Sequence, residues 1–411
     1  MMTRLLLIGT MCIGASVQAQ PTQTQGLLPT HIARPLLEQD PGVVAARAGL
    51  QVARQEAGLV ESSPYEWTTK LSGQRRTLKD GPDYQEWSAG IERPLRLPGK
   101  ATADRSIGKA AVDGGQARYG EALHEAATEL LSLWLDWLGA ERGRELAGAN
   151  RQSAQENLAA VEKRSRAGDA SKLDVSLAQA DLAEQSRAEN DAATLAIASW
   201  GRLNARFPGL GRQFAAFPEP SPIQEDAAFW ISRILAESDG LKVAQAQLQN
   251  AQAQAARSRA EKMPDPTLGI YTASEAGGRE RILGISISIP LPGGQRNWRA
   301  DKAVYSVEVM RGEVERKKRQ LEADIAGAVA TAKGAHRSLQ IAETGASAMQ
   351  NNAKLMQRAY SLGEADLQAL LLVRQQATSA AQNALAARVT ALKSYFLLLV
   401  DAHLVWDLDQ N

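Results

Sequence analysis

The stretch Ile91-Glu92-Arg93-Pro94-Leu95-Arg96-Leu97-Pro98-Gly99-Lys100 decides the fold, because the chain repeats it as Ile287-Ser288-Ile289-Pro290-Leu291-Pro292-Gly293-Gly294. In both copies an alternating segment runs into a Pro-Leu…Pro-Gly break, and a long Ala-, Glu- and Arg-rich helical pattern follows. Proline lacks an amide hydrogen, so within sheets it is confined to ends, edges and bulges, yet it fits the first turn of a helix. Each copy therefore predicts a joint where a strand becomes a helix without the chain reversing. Pro94, Pro98 and Gly99 mark the first joint, and Pro290, Pro292 and Gly293 the second. The first has Arg96 and Leu97 as an extra pair between its prolines, so identical geometry is not expected.

Outward from these joints the two halves match. In the first, a helix-like run over 41–61 carries Val43, Val44, Leu50, Val52 and Leu59 and stops at Ser62-Ser63-Pro64. From Tyr65 the period becomes two, and a polar turn at Lys79-Asp80-Gly81-Pro82-Asp83 predicts a β-hairpin over about 65–93. Residues 101–167 contain no proline and, as one helix, would be roughly 100 Å long at 1.5 Å per residue, which implies coiled-coil packing. Ala167-Gly168-Asp169-Ala170-Ser171 interrupts that helix, and a second one runs to about 206.

The second half replays this order, with a helix over about 241–262, a hairpin over 267–290 and a helical hairpin over 295–407 turning near Gly363. Its Leu283, Ile285, Ile287 and Ile289 alternate with Gly284, Ser286 and Ser288, the clearest strand pattern in the chain. In the last helix Leu371, Leu385, Leu392 and Leu399 fall at heptad spacing beside small Ala377, Ala381, Ala384 and Ala391, a pattern for close left-handed packing. The expected division is a leader over 1–19, a first repeat over 20–209 with its tip near 168, a connector over 210–238, and a second repeat over 239–411 with its tip near 363. The connector holds a short amphipathic helix around 227–237 with Phe229, Trp230, Ile234 and Leu235.

Arg4, the apolar run 5–17 and Val17-Gln18-Ala19 form a secretory signal cleaved before Gln20. The only cysteine, Cys12, lies inside it, and Thr10-Met11 suits lipoprotein processing poorly, so ordinary cleavage and a cysteine-free exported chain are expected. No later apolar run is expected to cross a bilayer as a helix, which leaves β-strands as the only membrane element. With 47 basic and 46 acidic residues, the charge gives no case for a nucleic-acid partner. The aromatic share of 5% favours extended helices on small side chains over a thick core.

Each hairpin strand has about the ten alternating residues that a tilted strand needs to cross a bilayer. Two hairpins are too few to close a barrel, and open edges cannot face lipid, so a membrane reading requires oligomerisation. A cyclic trimer with about twelve strands closes most simply. A soluble antiparallel sheet with one wet face fits the strands alone equally well; the signal peptide and long helices favour the membrane. Trp67 and Trp87 suit an interfacial aromatic girdle or, equally, a core.

The joints Arg93 to Lys100 and Ser288 to Gly293 are similar to those of the TolC-type outer membrane factors of tripartite efflux systems, nearest the branch serving heavy-metal and related RND pumps. So are the turns Arg166-Ala167-Gly168-Asp169-Ala170-Ser171-Lys172-Leu173-Asp174-Val175 and Tyr360-Ser361-Leu362-Gly363-Glu364-Ala365-Asp366-Leu367. The likeness spans about residues 36–407. It implies a mainly α chain with a small membrane β part, forming a homotrimeric β-barrel in the Gram-negative outer membrane that continues into a periplasmic α-helical barrel. It implies a passive exit duct for metal cations or small toxic compounds, fed by an inner-membrane RND-type pump through a periplasmic adaptor. Arg166, Gly168, Asp169, Tyr360, Gly363 and Glu364 would be the adaptor-docking tips. The family's aromatic three residues before the tip glycine is Tyr360 here, while the first copy has Ser165.

An aspartate gate beyond the second tip is not carried over, because Ala369 and Leu372 stand where it would lie. Asp169, Asp174, Glu364 and Asp366 would each form a ring of three in a trimer; for Asp169 and Glu364, capping of a helix dipole is the expected role. No catalytic constellation, phosphate loop, cofactor or metal site is expected: His31, His124, His336 and His403 are scattered. Trp134 and Trp137, among Leu130, Leu133 and Leu138, suit helix packing. The rival is a soluble periplasmic coiled-coil adaptor or scaffold, which would not need two bilayer-length hairpins.

Overall fold

The computed structural model describes residues 27–212 and 217–408. The signal-peptide expectation, including Cys12, lies outside them. In chain order the elements are α1 (Thr30–Glu38), α2 (Pro41–Glu61), β1 (Thr68–Arg76), β2 (Tyr84–Pro94), α3 (Pro98–Arg166), α4 (Lys172–Arg206), α5 (Ala227–Glu237), α6 (Asp239–Ala260), β3 (Thr267–Glu275), β4 (Glu280–Ser288), α7 (Gln295–Leu362) and α8 (Leu367–Asp401).

The two hairpins join into one antiparallel sheet of order β1-β2-β3-β4, with β2 paired to β3 across the repeat boundary. Side chains alternate across a strand, so the register sorts them into two faces. Thr69, Ile91, Ile270 and Ile285 align on one face, with Leu71, Ala89, Thr272 and Leu283 in the next row. Leu71, Trp87, Ile270, Leu283, Ile285 and Ile287 are all exposed there. The opposite face is polar: Lys70 pairs with Glu92 at 2.8 Å, the hydroxyls of Ser72 and Ser88 are 2.7 Å apart, and Gln74 donates to Glu86 at 2.9 Å. Trp67 and Trp87 are both exposed, so neither is a core aromatic within the protomer.

The helices pack as antiparallel pairs, α3 with α4 and α7 with α8, with α2 and α6 laid along α3. Small side chains set the spacing. A methyl at Gly108 would sit 3.1 Å from the Ala57 Cβ, and one at Gly115 3.2 Å from that of Ala53, so α2 and α3 touch almost backbone to backbone. Bulk is concentrated midway, where Leu130, Trp134, Trp137, Leu203, Trp230, Ile234, Phe396 and Leu399 form the main core. Trp134 and Trp137 are buried in it with ring centroids 5.0 Å apart.

The structure corrects several boundaries. Helix α1 is not foreshadowed by the sequence pattern, since Pro35 sits inside it. Strand β1 starts at Thr68 rather than near 65, and α3 starts at Pro98 rather than 101. Helix α8 ends at Asp401, not near 407; His403, Trp406 and Asp407 then take positive φ and fold the chain back. The Trp406 indole donates to the Leu28 carbonyl at 2.8 Å, which ties the two ends of the described chain together. Helix α8 is also long and apolar enough, by composition, to cross a membrane, contrary to expectation. Its Ala and Leu content reflects packing: Leu392, Phe396 and Leu399 are buried in the main core.

Candidate functional site

At the first joint Pro94 closes β2 and Pro98 opens α3. The Leu95 amide donates to the Pro266 carbonyl at 2.8 Å, so the strand pairing extends one step past Pro94. Asp265, held between Pro264 and Pro266, is the hub. Its carboxylate accepts from the Leu97 amide at 3.1 Å and the Tyr65 hydroxyl at 2.5 Å, and pairs with the Lys100 ammonium at 2.9 Å. The Asp265 and Lys100 side chains are only 6% and 4% exposed, so neither charge has water to fall back on.

Burial by itself raises the Asp265 carboxyl, but the bonds from Tyr65, Lys100 and the Leu97 amide outweigh it and hold the group below the usual aspartate range. The same bond pushes the Tyr65 phenol up to about 12, with burial and the carboxylate charge adding to it.

Arg96 extends the network. Its guanidinium donates to the carbonyls of Val60, Glu61 and Ser62 at 2.9, 2.6 and 3.1 Å, and to Asp104 at 3.1 Å. Those carbonyls lie at the C-terminus of α2, where orphan acceptors and the negative end of the helix dipole favour a cation. Arg257 of α6 reaches the other Asp104 oxygen at 2.6 Å. Helices α2, α3 and α6 and the segments leading into β1, β3 and α3 are thus fastened at one place.

The second joint has no such network. Pro290, Pro292 and Gly293 lie in open chain between β4 and α7, so neither proline ends a strand or begins a helix. Gly294 precedes α7 without a side-chain cap. Leu291 is 93% exposed, and Trp298 in the first turn of α7 is exposed as well. The Arg296 guanidinium donates to the Glu261 carbonyl at 2.5 Å.

At the far end the two tips share one geometry. Gly168 (φ +87°) and Gly363 (φ +79°) are left-handed, where only glycine is unstrained. In the first tip the amides of Gly168 and Asp169 donate to Ser165 and Arg164 at 3.1 and 2.8 Å. In the second, those of Gly363 and Glu364 donate to Tyr360 and Ala359 at 3.1 and 2.9 Å. The caps differ from expectation. Ser171 and Asp174 form a reciprocal capping box on α4, and Asp366 caps α8 by accepting from the Ala369 amide at 2.7 Å. Capping therefore falls to Ser171, Asp174 and Asp366, because the cap position lies three residues past each tip glycine, beyond Asp169 and Glu364.

Arg166, Gly168, Asp169, Gly363 and Glu364 are exposed at these tips. Tyr360 is not: it is 7% exposed, packed with Val161, Ala178, Leu367 and Leu370, and capped by the Arg164 guanidinium 5.0 Å from its ring centroid. The aromatic present in one tip thus packs against helices of both.

Two of the histidines are less scattered than the sequence suggests. His124 lies 3.0 Å from Asp401, and its ring centroid is 6.0 Å from that of His403. Among the described residues no cluster of His, Cys, Asp and Glu is arranged to hold a metal. The hub at Asp265, with Lys100, Tyr65 and Arg96, was missed by sequence reasoning; the one local hint is a carboxylate locked between two prolines just before a strand.

The fold class is thus a duplicated chain that joins an open-edged antiparallel sheet, bare and apolar on one face, to two helical hairpins whose longer helices span roughly 100 Å. The model of the outer membrane efflux protein family matches residues 33–206 and 230–396, and the chain belongs to that family. No curated protein sequence matches it. Among solved structures it is similar to CusC, with 14% identity, TM-score 0.74, and 94% and 95% of the two chains covered. The outer membrane channel CmeC of Campylobacter jejuni shares 16% identity over 92% and 85%, with TM-score 0.72. The outer membrane channel MtrE of Neisseria gonorrhoeae shares 20% over 91% and 88%, with TM-score 0.65. At these identities the likeness concerns the fold.

Proposed function

We propose that three copies of this chain close into an outer-membrane barrel above a periplasmic helical tunnel, forming the passive exit duct of a tripartite efflux system. The carrying observation is the sheet. Leu71, Trp87, Ile270, Leu283, Ile285 and Ile287 are bare on one face, with Leu283 86% exposed, while the other face is polar and hydrogen-bonded. An apolar face of this kind in water would invite aggregation, whereas in lipid it is the surface a barrel needs. The edges at β1 and β4 are unpaired within the protomer, and lipid tolerates no open edge. Pairing β1 of one copy with β4 of the next closes the ring. The structure of CusC is described in terms of transmembrane channel formation, and OprN, CmeC and MtrE are described as outer membrane channels, which supports the same use here.

In this reading solutes, metal cations or small toxic compounds, are driven by an inner-membrane RND-type pump and pass through a periplasmic adaptor. The exposed tip residues Arg166, Gly168, Asp169, Gly363 and Glu364 meet that adaptor, and Tyr360 holds the two tips in register. Pro94, Pro98, Gly99, Pro290, Pro292 and Gly293 mark the passage from barrel to tunnel.

Cell fractionation tests the reading: the chain should stay with outer membranes through salt and osmotic shock, and leave only with detergent, as a trimer. Release without detergent would instead support a soluble periplasmic scaffold. Gly363→Val should abolish drug or metal resistance while trimers still assemble; full resistance in that variant would remove the docking role of the tip.

A further inference from the structure

On the polar face of the sheet, Gly90, Tyr271 and Gly284 stand directly opposite one another across β2, β3 and β4. They share that face with Lys70, Ser72, Ser88, Glu92 and Ser286, since each lies an even step from those residues in the register. Glycine inside a strand weakens it and marks a place where another group must come close. Here the group is the Tyr271 ring. A methyl at Gly284 would fall 2.5 Å from its Cζ, 2.6 Å from Cε1 and 2.7 Å from the hydroxyl oxygen. A methyl at Gly90 would fall 3.0 Å from the Tyr271 Cβ and 3.1 Å from the Ile270 carbonyl oxygen. The ring is therefore laid flat across β4, in the space that a side chain at position 284 would occupy.

We infer that Tyr271 is a size-determining residue of the passage, and that Gly284 keeps the bore open by giving its ring a bed against the wall, while Gly90 makes room for its Cβ. The inference rests on the channel reading, in which the polar face lines the lumen and each level of the barrel carries three copies of every residue. Three flat tyrosines leave the bore wide; three upright ones would form an aromatic collar. Staggered rotamers are discrete, so a side chain at 284 does not tilt the ring by degrees but drives it into another well. In the inferred response the displaced ring leaves the wall and stands into the bore. The solutes affected are bulky ones, whatever their charge, because the obstruction is an uncharged ring.

Polymer partitioning into purified trimers in planar bilayers tests this, since neutral polymers of graded size added from the hairpin-turn side report the width of the barrel mouth. Gly284→Ala should lower the largest size admitted from that side and leave the limit from the helical side unchanged. Gly284→Ala with Tyr271→Ala should restore it. An unchanged limit in a conducting Gly284→Ala trimer, or a double variant as narrow as the single one, overturns the inference.

Should Gly284→Ala fail to assemble, Tyr271→Cys decides the matter, because the chain's one native cysteine, Cys12, lies in the leader. The introduced thiol should react with membrane-impermeant thiol reagents added to intact trimers. Reaction only with lipid-soluble reagents would put the residue on the lipid face and overturn the inference. A wild-type chain that forms no trimer and no conducting pore would defeat the channel reading itself, an outcome separate from either result above.

Discussion

The two joints begin from nearly the same sequence and reach opposite solutions. At the first, Arg96, Lys100, Asp104, Arg257 and Asp265 tie α2, α3, α6 and the sheet together through charges with little access to water. At the second, Pro290 to Gly294 cross from sheet to helix with Leu291 and Trp298 bare. Duplication carried over the backbone plan of strand, proline break and long helix, but not the means of fastening it. The first joint is completed within the chain. The second presents apolar surface, as expected of a face that a neighbouring copy covers in the proposed ring.

This contrast is breakable. The largest effect is expected from Asp265→Asn, which strands the buried Lys100 charge and weakens the bonds to Tyr65 and Leu97, at a cost of about 3 kcal/mol. Denaturation of detergent-solubilised protein measures it. The folded Asp265 carboxyl is held below its ordinary value, so its stabilisation is complete above about pH 3.9, the unfolded value, and is lost as pH falls through the depressed one. Wild type and Asp265→Asn should therefore differ fully at neutral pH and converge in strong acid; a gap that persists there would mean that packing, not charge, holds the joint.

Next come the matched arginines. Arg96→Ala removes the charged donors to the last two α2 carbonyls, to the Ser62 carbonyl after them and to Asp104 and should cost about 2 kcal/mol, whereas Arg296→Ala removes a single carbonyl contact and should cost about 1 kcal/mol. Equal losses in the same assay would erase the distinction between the joints.

The smallest effect concerns the tips, where the halves agree. Gly168→Ala and Gly363→Ala should each cost about 1 kcal/mol, and the same amount, because both are left-handed with open space around them. Unequal costs would show that the tips differ beyond their caps.

What could be read from the sequence was whatever local spacing encodes. Gly168 and Gly363 punctuate helices, Pro94 and Pro98 bound elements, and Leu283, Ile285 and Ile287 alternate; each needs only its near neighbours. Asp265 could not be read that way, since its partners Tyr65, Leu97 and Lys100 come from the other half of the chain. Helix α1 is hidden by Pro35, and the end of α8 by Leu404, Val405 and Trp406, which continue an apolar pattern after the backbone has turned at His403. Tyr360 reads as part of the docking surface because a tip is exposed as a whole, although its ring turns inward to the helices.

The unpaired edges at β1 and β4 belong to different halves of the chain. In the proposed ring every seam is therefore heterologous, and one defective edge breaks a circuit that the other two copies cannot close. The genetic signature is dominance: a chain with a spoiled β4 edge, expressed equally with the intact one, would leave only about one ring in eight wholly intact by random assembly of threes. Loss of resistance in such a strain should exceed that caused by halving the dose of the gene.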